Sequence, residues 1–528
     1  MRTFFLILNM FAAIIVSGQQ NIDVLHYKFE IQLSDSSDNI KGRATITVRI
    51  LKSSEFIELD LINKDSTEKG MVANQAIENG MPVSLEHKNN KLVLKPSTLL
   101  RTNEERTFEI FYSGIPKDGL IISKTKYGRR SFFADNWPDR GRNWLPCHDD
   151  PADKATVEFI VTAPEHYQVV ANGISIEESS AGNGNRLTHW KEETPISTKV
   201  MVIGVADFAV NLAGFISDRI PVYSWVYPEN KNEVFYDYAL AKDILPFYIT
   251  RVGPYGYKKL ANVQSKTRFG GLENANTIFY SENLITGARR SEGTIAHEIA
   301  HQWFGNMATE KSFGHLWLSE GFATYFTILY FENKYGKDTA AAMLKKSMAQ
   351  VIEFSKKSNK PVVDTAEKNY LKLLNANSYQ KGGWVLHMLR RELGDSVFWK
   401  SIRKYYSIYS GGIAGTEDLQ RVFETVSGKN LKQFFKQWLY TPGQPLLDFY
   451  WKYDDALKKL KVSIDQKQNQ LFHFPITVKI VDSRGKTLYK RIMVSQQSES
   501  LVISVKEKPS MVLLDPEVSL LYEEVEKK

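Results

Sequence analysis

The spacing of apolar residues changes twice along the chain, and this limits the folds that the sequence can adopt. Apolar and polar residues alternate between about residues 21 and 213, in runs such as "HYKFEIQL" and "RATITVRI", which predicts β-strands. From about residue 233 to 438 the apolar residues recur at helical spacing, as in "FATYFTILYFENKYG", and alternation returns after "TPGQPLLDF". We therefore expect a β-rich part, a helix-rich part and a second, smaller β-rich part.

The length and the composition are those of a large globular protein. The chain has 528 residues, enough for three or four domains at about 150 residues each, and 43% of its residues are hydrophobic. Its excess of 8 basic over acidic residues is scattered and forms no basic run interleaved with aromatic residues, so no nucleic-acid partner is expected. Cys147 is the only cysteine, which excludes an intramolecular disulfide. The sequence predicts no particular oligomeric state.

The first eighteen residues have the order of a secretory signal peptide. Arg2 precedes an apolar run at positions 4–16, and small residues follow at positions 17 and 18. The alternative is a membrane anchor, but Asn9 interrupts the run, which is shorter than the roughly 20 residues that a span needs. We expect residues 1–18 to be a signal peptide and the mature chain to be periplasmic or extracellular, without an integral membrane span.

Two histidines stand four residues apart in the stretch "HEIAHQWFGN", residues 297–306. On a helix, residues at this spacing project from one face, so His297 and His301 can bind a single ion. Imidazole suits Zn²⁺, and Glu298 between them would point beside the ion toward a bound water. The alternative is a pair of histidines packed on a helix, because short patterns of this kind also occur by chance.

A third metal ligand is available in the next helical stretch, "LWLSEGFATYF". Glu320 follows His301 with eighteen residues between them, and its neighbours are mostly apolar. A lone buried charge there would be costly unless it is paired or bound to metal, and catalytic zinc commonly takes a carboxylate as its third protein ligand. The alternative is an exposed glutamate near the start of a helix. His315 lacks a suitable spacing and is expected to be a packing or capping residue.

This arrangement resembles the aminopeptidase N family of zinc metallopeptidases, which are gluzincins related to leukotriene hydrolase. Three further stretches are similar to motifs of that family: "GGLEN" at 270–274, "YQKG" at 379–382 and "PCHDDP" at 146–151. The resemblance covers nearly the whole mature chain. It implies a multidomain α+β fold with an N-terminal β-saddle domain (19–216), a thermolysin-like zinc catalytic domain (217–442) and a C-terminal β-sandwich (443–528). The family's large C-terminal helical domain is expected to be absent.

The resemblance also implies a zinc aminopeptidase that removes N-terminal residues from oligopeptides with free N-termini, using one Zn²⁺ per chain. In that reading Glu298 is the general base, Tyr379 donates its hydroxyl hydrogen to the developing oxyanion, and Glu273 binds the α-ammonium of the substrate. The implied metal ligands are His297, His301 and Glu320. The implied substrate-binding segment consists of Gly270, Gly271, Leu272, Glu273 and Asn274.

The sequence departs from the family at one position of the implied substrate pocket. Many relatives have a second amine-binding Gln or Glu about ten residues before the cysteine of the "PC" motif, where this chain has Trp137. The indole N–H is only a donor and cannot accept a hydrogen bond from an ammonium group. Asp135 or Asn136 could replace the missing group, Trp137 could contribute a cation–π contact, or Trp137 could be a simple pocket wall.

Two other functions are compatible with the same motifs. The first is a non-catalytic peptide-binding or scaffold protein that keeps the peptidase fold. The retained zinc ligands, Glu298 and Tyr379 argue against it, because a chain without the activity would not need them. The second is an activity like that of an epoxide hydrolase, for which the sequence offers no specific lipid-binding feature.

Overall fold

The computed structural model describes residues 21–526, and the predicted signal peptide lies outside the described residues. The described part begins with strands, continues with a mostly helical part and ends with strands, as the periodicity predicts. The strands of the first part are β1 (Ile22–Gln32), β2 (Ile40–Ile50), β3 (Ile57–Asp60), β4 (Gly70–Glu78), β5 (Met81–Lys88), β6 (Lys91–Lys95), β7 (Glu105–Ile115), β8 (Leu120–Lys124), β9 (Arg130–Ala134), β10 (Lys154–Pro164), β11 (Gln168–Ala171), β12 (Ile174–Gly182), β13 (Asn185–Ser197) and β14 (Ile203–Ala206).

These strands form two sheets. The larger has ten strands in the order β12-β13-β10-β1-β2-β7-β4-β5-β6-β3, and the smaller has the order β11-β14-β9-β8. β1 and β10 are parallel neighbours, with Phe29 in register with Phe159. The rings of these two residues stack at 5.6 Å, and Trp144 stacks on Phe159 at 6.4 Å. Alternate residues along most of β1, β2 and β10 are buried and form the core between these rings, as a half-buried sheet requires.

The middle part contains a five-stranded mixed sheet in the order β15-β16-β17-β19-β18 and most of the helices. The strands of the middle part are β15 (Ala209–Ile216), β16 (Ile220–Val226), β17 (Leu260–Ser265), β18 (Gly271–Leu272), β19 (Thr277–Ser281), β20 (Thr309–Glu310) and β21 (Ile413–Ala414). Its helices are α1 (Lys231–Tyr238), α2 (Ala241–Arg251), α3 (Glu292–His301), α4 (Trp317–Tyr335), α5 (Lys337–Ser355), α6 (Gly382–Leu393), α7 (Asp395–Tyr409), α8 (Thr416–Ser427) and α9 (Lys432–Leu439).

β15 and β16 form a hairpin that spans the first expected domain boundary. The boundary at residue 216 would assign β15 to the first part, but β15 pairs with β16 along its length, from Ala209–Val226 to Ile216–Ile220. β16 in turn pairs with β17 of the mixed sheet. The hairpin therefore belongs to the sheet that supports the helical part, and the boundaries at residues 216 and 442 stay predictions.

Two strand groups follow α9 and form sheets of four and three strands, in the orders β26-β23-β22-β28 and β25-β24-β27. The strands are β22 (Leu446–Asp454), β23 (Lys459–Gln466), β24 (Phe474–Val481), β25 (Thr487–Val494), β26 (Ser498–Ser504), β27 (Met511–Leu514) and β28 (Glu523–Glu524). Between Tyr440 and residue 526 the described chain contains no α-helix. Across residues 21–526, no helix combines the length and the apolarity that crossing a bilayer requires.

Candidate metal centre

Two helices bring three potential metal ligands to one point. α3 carries His297 and His301, and α4, which packs against it, carries Glu320. Oε2 of Glu320 lies 3.2 Å from Nε2 of each histidine, and the two Nε2 atoms are 3.1 Å apart. Ligands at 2.0–2.1 Å from a tetrahedral Zn²⁺ would be about 3.3 Å from one another. The spacing and the chemistry of the donors fit one zinc ion.

Two contacts to Nδ1 fix the orientation of the His301 ring. Its Nδ1 lies 3.1 Å from the carbonyl oxygen of Phe304 and 3.0 Å from Oγ of Ser319. Since a carbonyl can only accept, Nδ1 carries the hydrogen, and the lone pair of Nε2 faces the ion position. Gly305 (φ 109°) makes room for this contact, because a Cβ there would lie 2.2 Å from Oγ of Ser319. The ring is therefore held in the tautomer that binds a metal.

The environment sets the charges of the three ligands. Burial lowers the pKa of His297, which favours the neutral imidazole that a metal requires. Burial works against ionisation of Glu320, but the neighbouring histidines outweigh it and hold the pKa of this carboxyl below its usual range. Burial opposes protonation of His301, but Glu320 outweighs burial and raises the pKa of this imidazole to about 10, so His301 and Glu320 form a buried ion pair when no metal is bound. A bound Zn²⁺ would take the place of the proton on His301, since a metal binds the neutral imidazole.

Glu298 lies beside this cluster and faces the strand β18. A Cβ on Gly271 would lie 2.3 Å from Oε1 of Glu298, so the glycine allows the carboxylate to lie against the strand. Burial raises the pKa of Glu298 well above its usual range; His301 opposes this shift, and the carboxylates of Glu273 and Glu320 add to it. A carboxylate with a raised pKa is a stronger base, which suits a residue that accepts a proton during a reaction.

Tyr379 covers the other side of His297. It lies in a π-helical turn, Asn377–Lys381, that precedes α6, and its ring stacks on the His297 ring at 5.9 Å with 9° between the planes. α6 can approach α4 closely because a Cβ on Gly321 would lie 2.8 Å from the carbonyl carbon of Gly382. Burial raises the pKa of Tyr379 well above its usual range, with Glu320 contributing, so the hydroxyl keeps its hydrogen.

The metal ligands open into a cavity of about 380 Å³. Glu273 lines it, is 5% exposed and has one carboxylate oxygen, Oε1, without a hydrogen-bond partner among the described residues. A buried carboxylate oxygen without a partner is costly, so it marks a position where a cationic ligand group fits. Its neighbours in the segment divide: Gly270, Gly271 and Leu272 line the cavity, whereas Asn274 does not and is fully buried behind it. A contact between Asn274 and substrate stays a prediction.

Only one of the three residues at 135–137 reaches the cavity. Asp135 is buried and paired with Arg140, and Asn136 donates to the carbonyls of Thr198 and Met201 while accepting from the Trp144 indole. The polar atoms of Asp135 and Asn136 thus bond to other protein groups, and their part in the substrate pocket stays a prediction.

Trp137 does line the cavity, in edge contact with the Phe269 ring at 6.2 Å and the Phe313 ring at 5.9 Å. Leu374 adds a further apolar group. Of the roles considered for Trp137, the pocket wall agrees with this position. Trp137, Phe269 and Leu374 thus give the cavity an aromatic and apolar wall.

Gln302 and Asn306, in the stretch "HEIAHQWFGN", support the substrate cavity, a role that the sequence alone does not predict. Nε2 of Gln302 donates to the carbonyl of Glu273 at 3.0 Å, and Nδ2 of Asn306 donates to the same oxygen at 2.6 Å. They fix the backbone of the residue whose carboxylate enters the cavity. The only sequence signal for them is that both are polar residues next to a metal-binding pattern.

Known proteins share both the sequence features and the fold. Residues 236–438 match the peptidase family M1 domain, and residues 24–200 match the peptidase M1 N-terminal domain. The chain belongs to peptidase family M1. The resemblance recognised in the zinc-ligand spacing is thereby confirmed.

Several M1 relatives show how much of this chain is shared. The probable aminopeptidase 1 of Sulfurisphaera tokodaii is 23% identical over 513 residues, which cover 91% of this chain and 61% of that protein. The crystal structure of Legionella pneumophila aminopeptidase A in complex with aspartic acid has a TM-score of 0.83 at 18% identity, covering 97% of this chain and 60% of that chain.

The M1 zinc metallopeptidase from Deinococcus radiodurans has a TM-score of 0.69 at 24% identity, covering 81% of this chain and 95% of that chain. These likenesses confirm the expected M1 fold. This chain spans about three fifths of the length of the Sulfurisphaera and Legionella proteins.

Proposed function

We propose that this M1 chain is a zinc-dependent aminopeptidase that removes N-terminal residues from oligopeptides. The observation that carries the proposal is that Glu273, whose Oε1 has no hydrogen-bond partner among the described residues, lines the same cavity as the three metal ligands. A carboxylate placed there can bind the α-ammonium of a peptide and so place the first peptide bond at the metal centre. Relatives that are named aminopeptidases support the proposal.

His297, His301 and Glu320 would hold the zinc ion. When bound, Zn²⁺ supplies Lewis-acid polarisation of the scissile carbonyl and makes water a better nucleophile near neutral pH. Glu298 takes the proton of the attacking water and passes it to the leaving amine. The raised pKa of this carboxyl makes it able to hold the proton between the two transfers.

Tyr379 and Glu273 complete the reaction site. Tyr379 keeps its hydroxyl hydrogen and donates it to the carbonyl oxygen as negative charge develops there, a contribution of about 3–4 kcal/mol for one such donor. Glu273 holds the ammonium group, and the backbone at Gly270 and Gly271 lies along the substrate, where the absence of a Cβ allows a close approach.

The proposal is tested by comparing one peptide set with free and with acetylated N-termini, with the products read by mass spectrometry. We expect only free termini to be trimmed, one residue at a time. Removal of the metal with a chelator and, separately, Glu298→Gln should both stop the reaction, and added Zn²⁺ should restore only the chelated sample.

Other outcomes would change the proposed activity in defined ways. Equal cleavage of acetylated peptides would keep the zinc hydrolase and reject the aminopeptidase. Absence of cleavage in a zinc-loaded, folded sample would favour the non-catalytic binding protein.

We also propose that the protein is exported. The support is the charged start and the apolar run of residues 1–18. Expression of the full chain followed by mass measurement of the protein outside the cytoplasmic membrane tests this. A mature N-terminus at residue 19 is expected, and an uncleaved chain in the cytoplasm would contradict it.

A further inference from the structure

A lysine of the first β-rich part reaches the loop that follows the metal-binding helix. Lys154 begins β10, and its ammonium group donates to the carbonyls of Asn306 at 3.0 Å and Met307 at 2.9 Å, with a third, longer contact to Gly412 at 3.4 Å. Burial lowers the pKa of Lys154 to about 7, with Lys199 adding to the shift and Glu310 opposing it. Lys154 thus binds main-chain oxygens although burial of its charge is costly.

Asn306 connects this lysine to the substrate cavity. Its backbone oxygen accepts from Lys154, while its side-chain Nδ2 donates to the carbonyl of Glu273 at 2.6 Å. Oδ1 of Asn306 has no hydrogen-bond partner among the described residues. The direction of this amide therefore depends on the position of its own backbone and on the bond to Glu273.

We propose that Lys154 is a positioning residue for amine recognition, acting on Glu273 through Asn306. By fixing the backbone at Asn306 and Met307, Lys154 fixes the amide that holds the Glu273 carbonyl, and so places the Glu273 carboxylate in the cavity. The inference rests on the proposed function, because it takes Glu273 as the group that binds the substrate ammonium. Lys154 itself touches no substrate.

This role assigns the first β-rich part an indirect contribution to amine binding. Asp135 and Asn136, which also belong to that part, are occupied by other protein groups. Lys154 acts instead from behind the cavity, through a residue of the loop that follows α3.

A structural contact and a positioning contact differ in what their loss does. If Lys154 only stabilises the fold, its loss lowers the folded fraction and weakens every ligand equally. If it positions Glu273, its loss weakens only ligands that carry an α-amine. The test therefore needs two ligands that differ in the amine alone.

The experiment measures binding of leucine hydroxamate and of 4-methylpentanohydroxamate, its counterpart without the amine, to the zinc-loaded protein by calorimetry. The dissociation constant of the amine-free ligand divided by that of leucine hydroxamate gives a ratio that reports the amine contact. We expect Lys154→Met to reduce this ratio by about tenfold, the size of one charged hydrogen bond, while binding of the amine-free ligand changes by less than about twofold. Asn306→Ala should have the same effect.

The double variant and a control at a second buried lysine test the proposed route from Lys154 through Asn306 to Glu273. Because both residues act through one contact, Lys154→Met combined with Asn306→Ala should be no worse than the worse single variant. The control is Lys381→Met, which removes another buried lysine whose ammonium group donates to main-chain carbonyls, those of Thr441 and Gly443, and which makes no hydrogen bond to Asn306 or Glu273. It should keep the wild-type ratio.

The inference is overturned if Lys154→Met or Asn306→Ala keeps the wild-type ratio, or if both ligands weaken equally. If Lys154→Met does not fold, Lys154→Gln replaces it, because the shorter amide side chain cannot make the same three contacts, and a wild-type ratio in that variant also overturns the inference. Equal binding of the two ligands by the wild-type protein would reject the amine-binding role of Glu273, and this inference with it. A wild-type preference that survives in Lys154→Met would reject this inference alone.

Discussion

Glu298 and Gly271 are so close that a Cβ on the glycine would lie 2.3 Å from Oε1 of the carboxylate. We predict that Gly271→Ala displaces Glu298 by an ångström or more and lowers kcat about 100-fold, because a general base must be placed within that tolerance. Steady-state kinetics on a free-amine peptide measure the change. Zinc content should stay at one per chain, since no metal ligand is touched.

The adjacent glycine provides a matched comparison. A Cβ on Gly270 would meet no atom within 4 Å. We therefore expect Gly270→Ala to lose much less activity than Gly271→Ala. Equal losses in the two variants would show that the contact with Glu298 is not the cause.

Ser319 supports the metal centre from behind through its 3.0 Å contact with Nδ1 of His301. We predict that Ser319→Ala lowers zinc affinity about tenfold, a typical effect for a group that orients a metal ligand. The loss should be limited, because the Phe304 carbonyl still holds the ring. Competition with a chelator of known affinity measures it, and unchanged zinc affinity would contradict the prediction.

Trp137 is expected to set the size of the first side chain that the cavity accepts. Trp137→Ala removes a wall residue that is 2% exposed and opens the space against Phe269 and Phe313. We predict that kcat/KM for an N-terminal tryptophan, relative to an N-terminal alanine, rises by about tenfold or more.

The comparison uses two peptides that are identical after the first residue. Trp137→Phe should give an intermediate result, because it removes less of the wall. A selectivity that is the same in all three proteins would show that Trp137 does not face the first side chain.

Lys381 predicts a pH dependence of stability. It is 1% exposed, and burial lowers its pKa to about 7 from 10.5. Between these values the unfolded chain binds a proton that the folded chain does not, so this contribution to the free energy of unfolding rises with pH from 7 to 10.5 and is lost as the pH falls to 7. The upper limit is about 1.4 kcal/mol per pH unit.

The measurement compares wild type with Lys381→Met in denaturant between pH 7.5 and 9.5. Taking the difference between the two proteins cancels the titration of all other groups. Wild type should gain stability relative to the variant as the pH rises. A difference that is constant with pH would contradict the lowered pKa.

Much of the metal centre is predictable because its signals are local. The four-residue spacing of His297 and His301 determines their common helix face, and the apolar surroundings of Glu320 indicate that its charge needs a partner. These features depend on helix geometry and on burial, which a single sequence reveals. The order of β-rich and helical parts is predictable for the same reason.

The roles of Asn136 and Lys154 are not predictable, because each depends on contacts with distant parts of the chain. Asn136 bonds to carbonyls more than sixty positions away, and Lys154 to carbonyls more than 150 positions away. No periodicity or motif encodes such pairings. Alternation likewise predicts the strands of the hairpin β15–β16 but does not say to which sheet they belong.

Trp137 and the reaction site come from different stretches of the chain. Trp137 belongs to the first β-rich part, whereas the metal ligands, the base and the amine-binding carboxylate lie between residues 273 and 320. Mutations at Trp137 can thus accumulate without changing the metal ligands or the base. In evolutionary terms, a descendant protein can change the N-terminal side chain that it prefers by mutation of the segment around Trp137, while selection preserves the segment between residues 273 and 320.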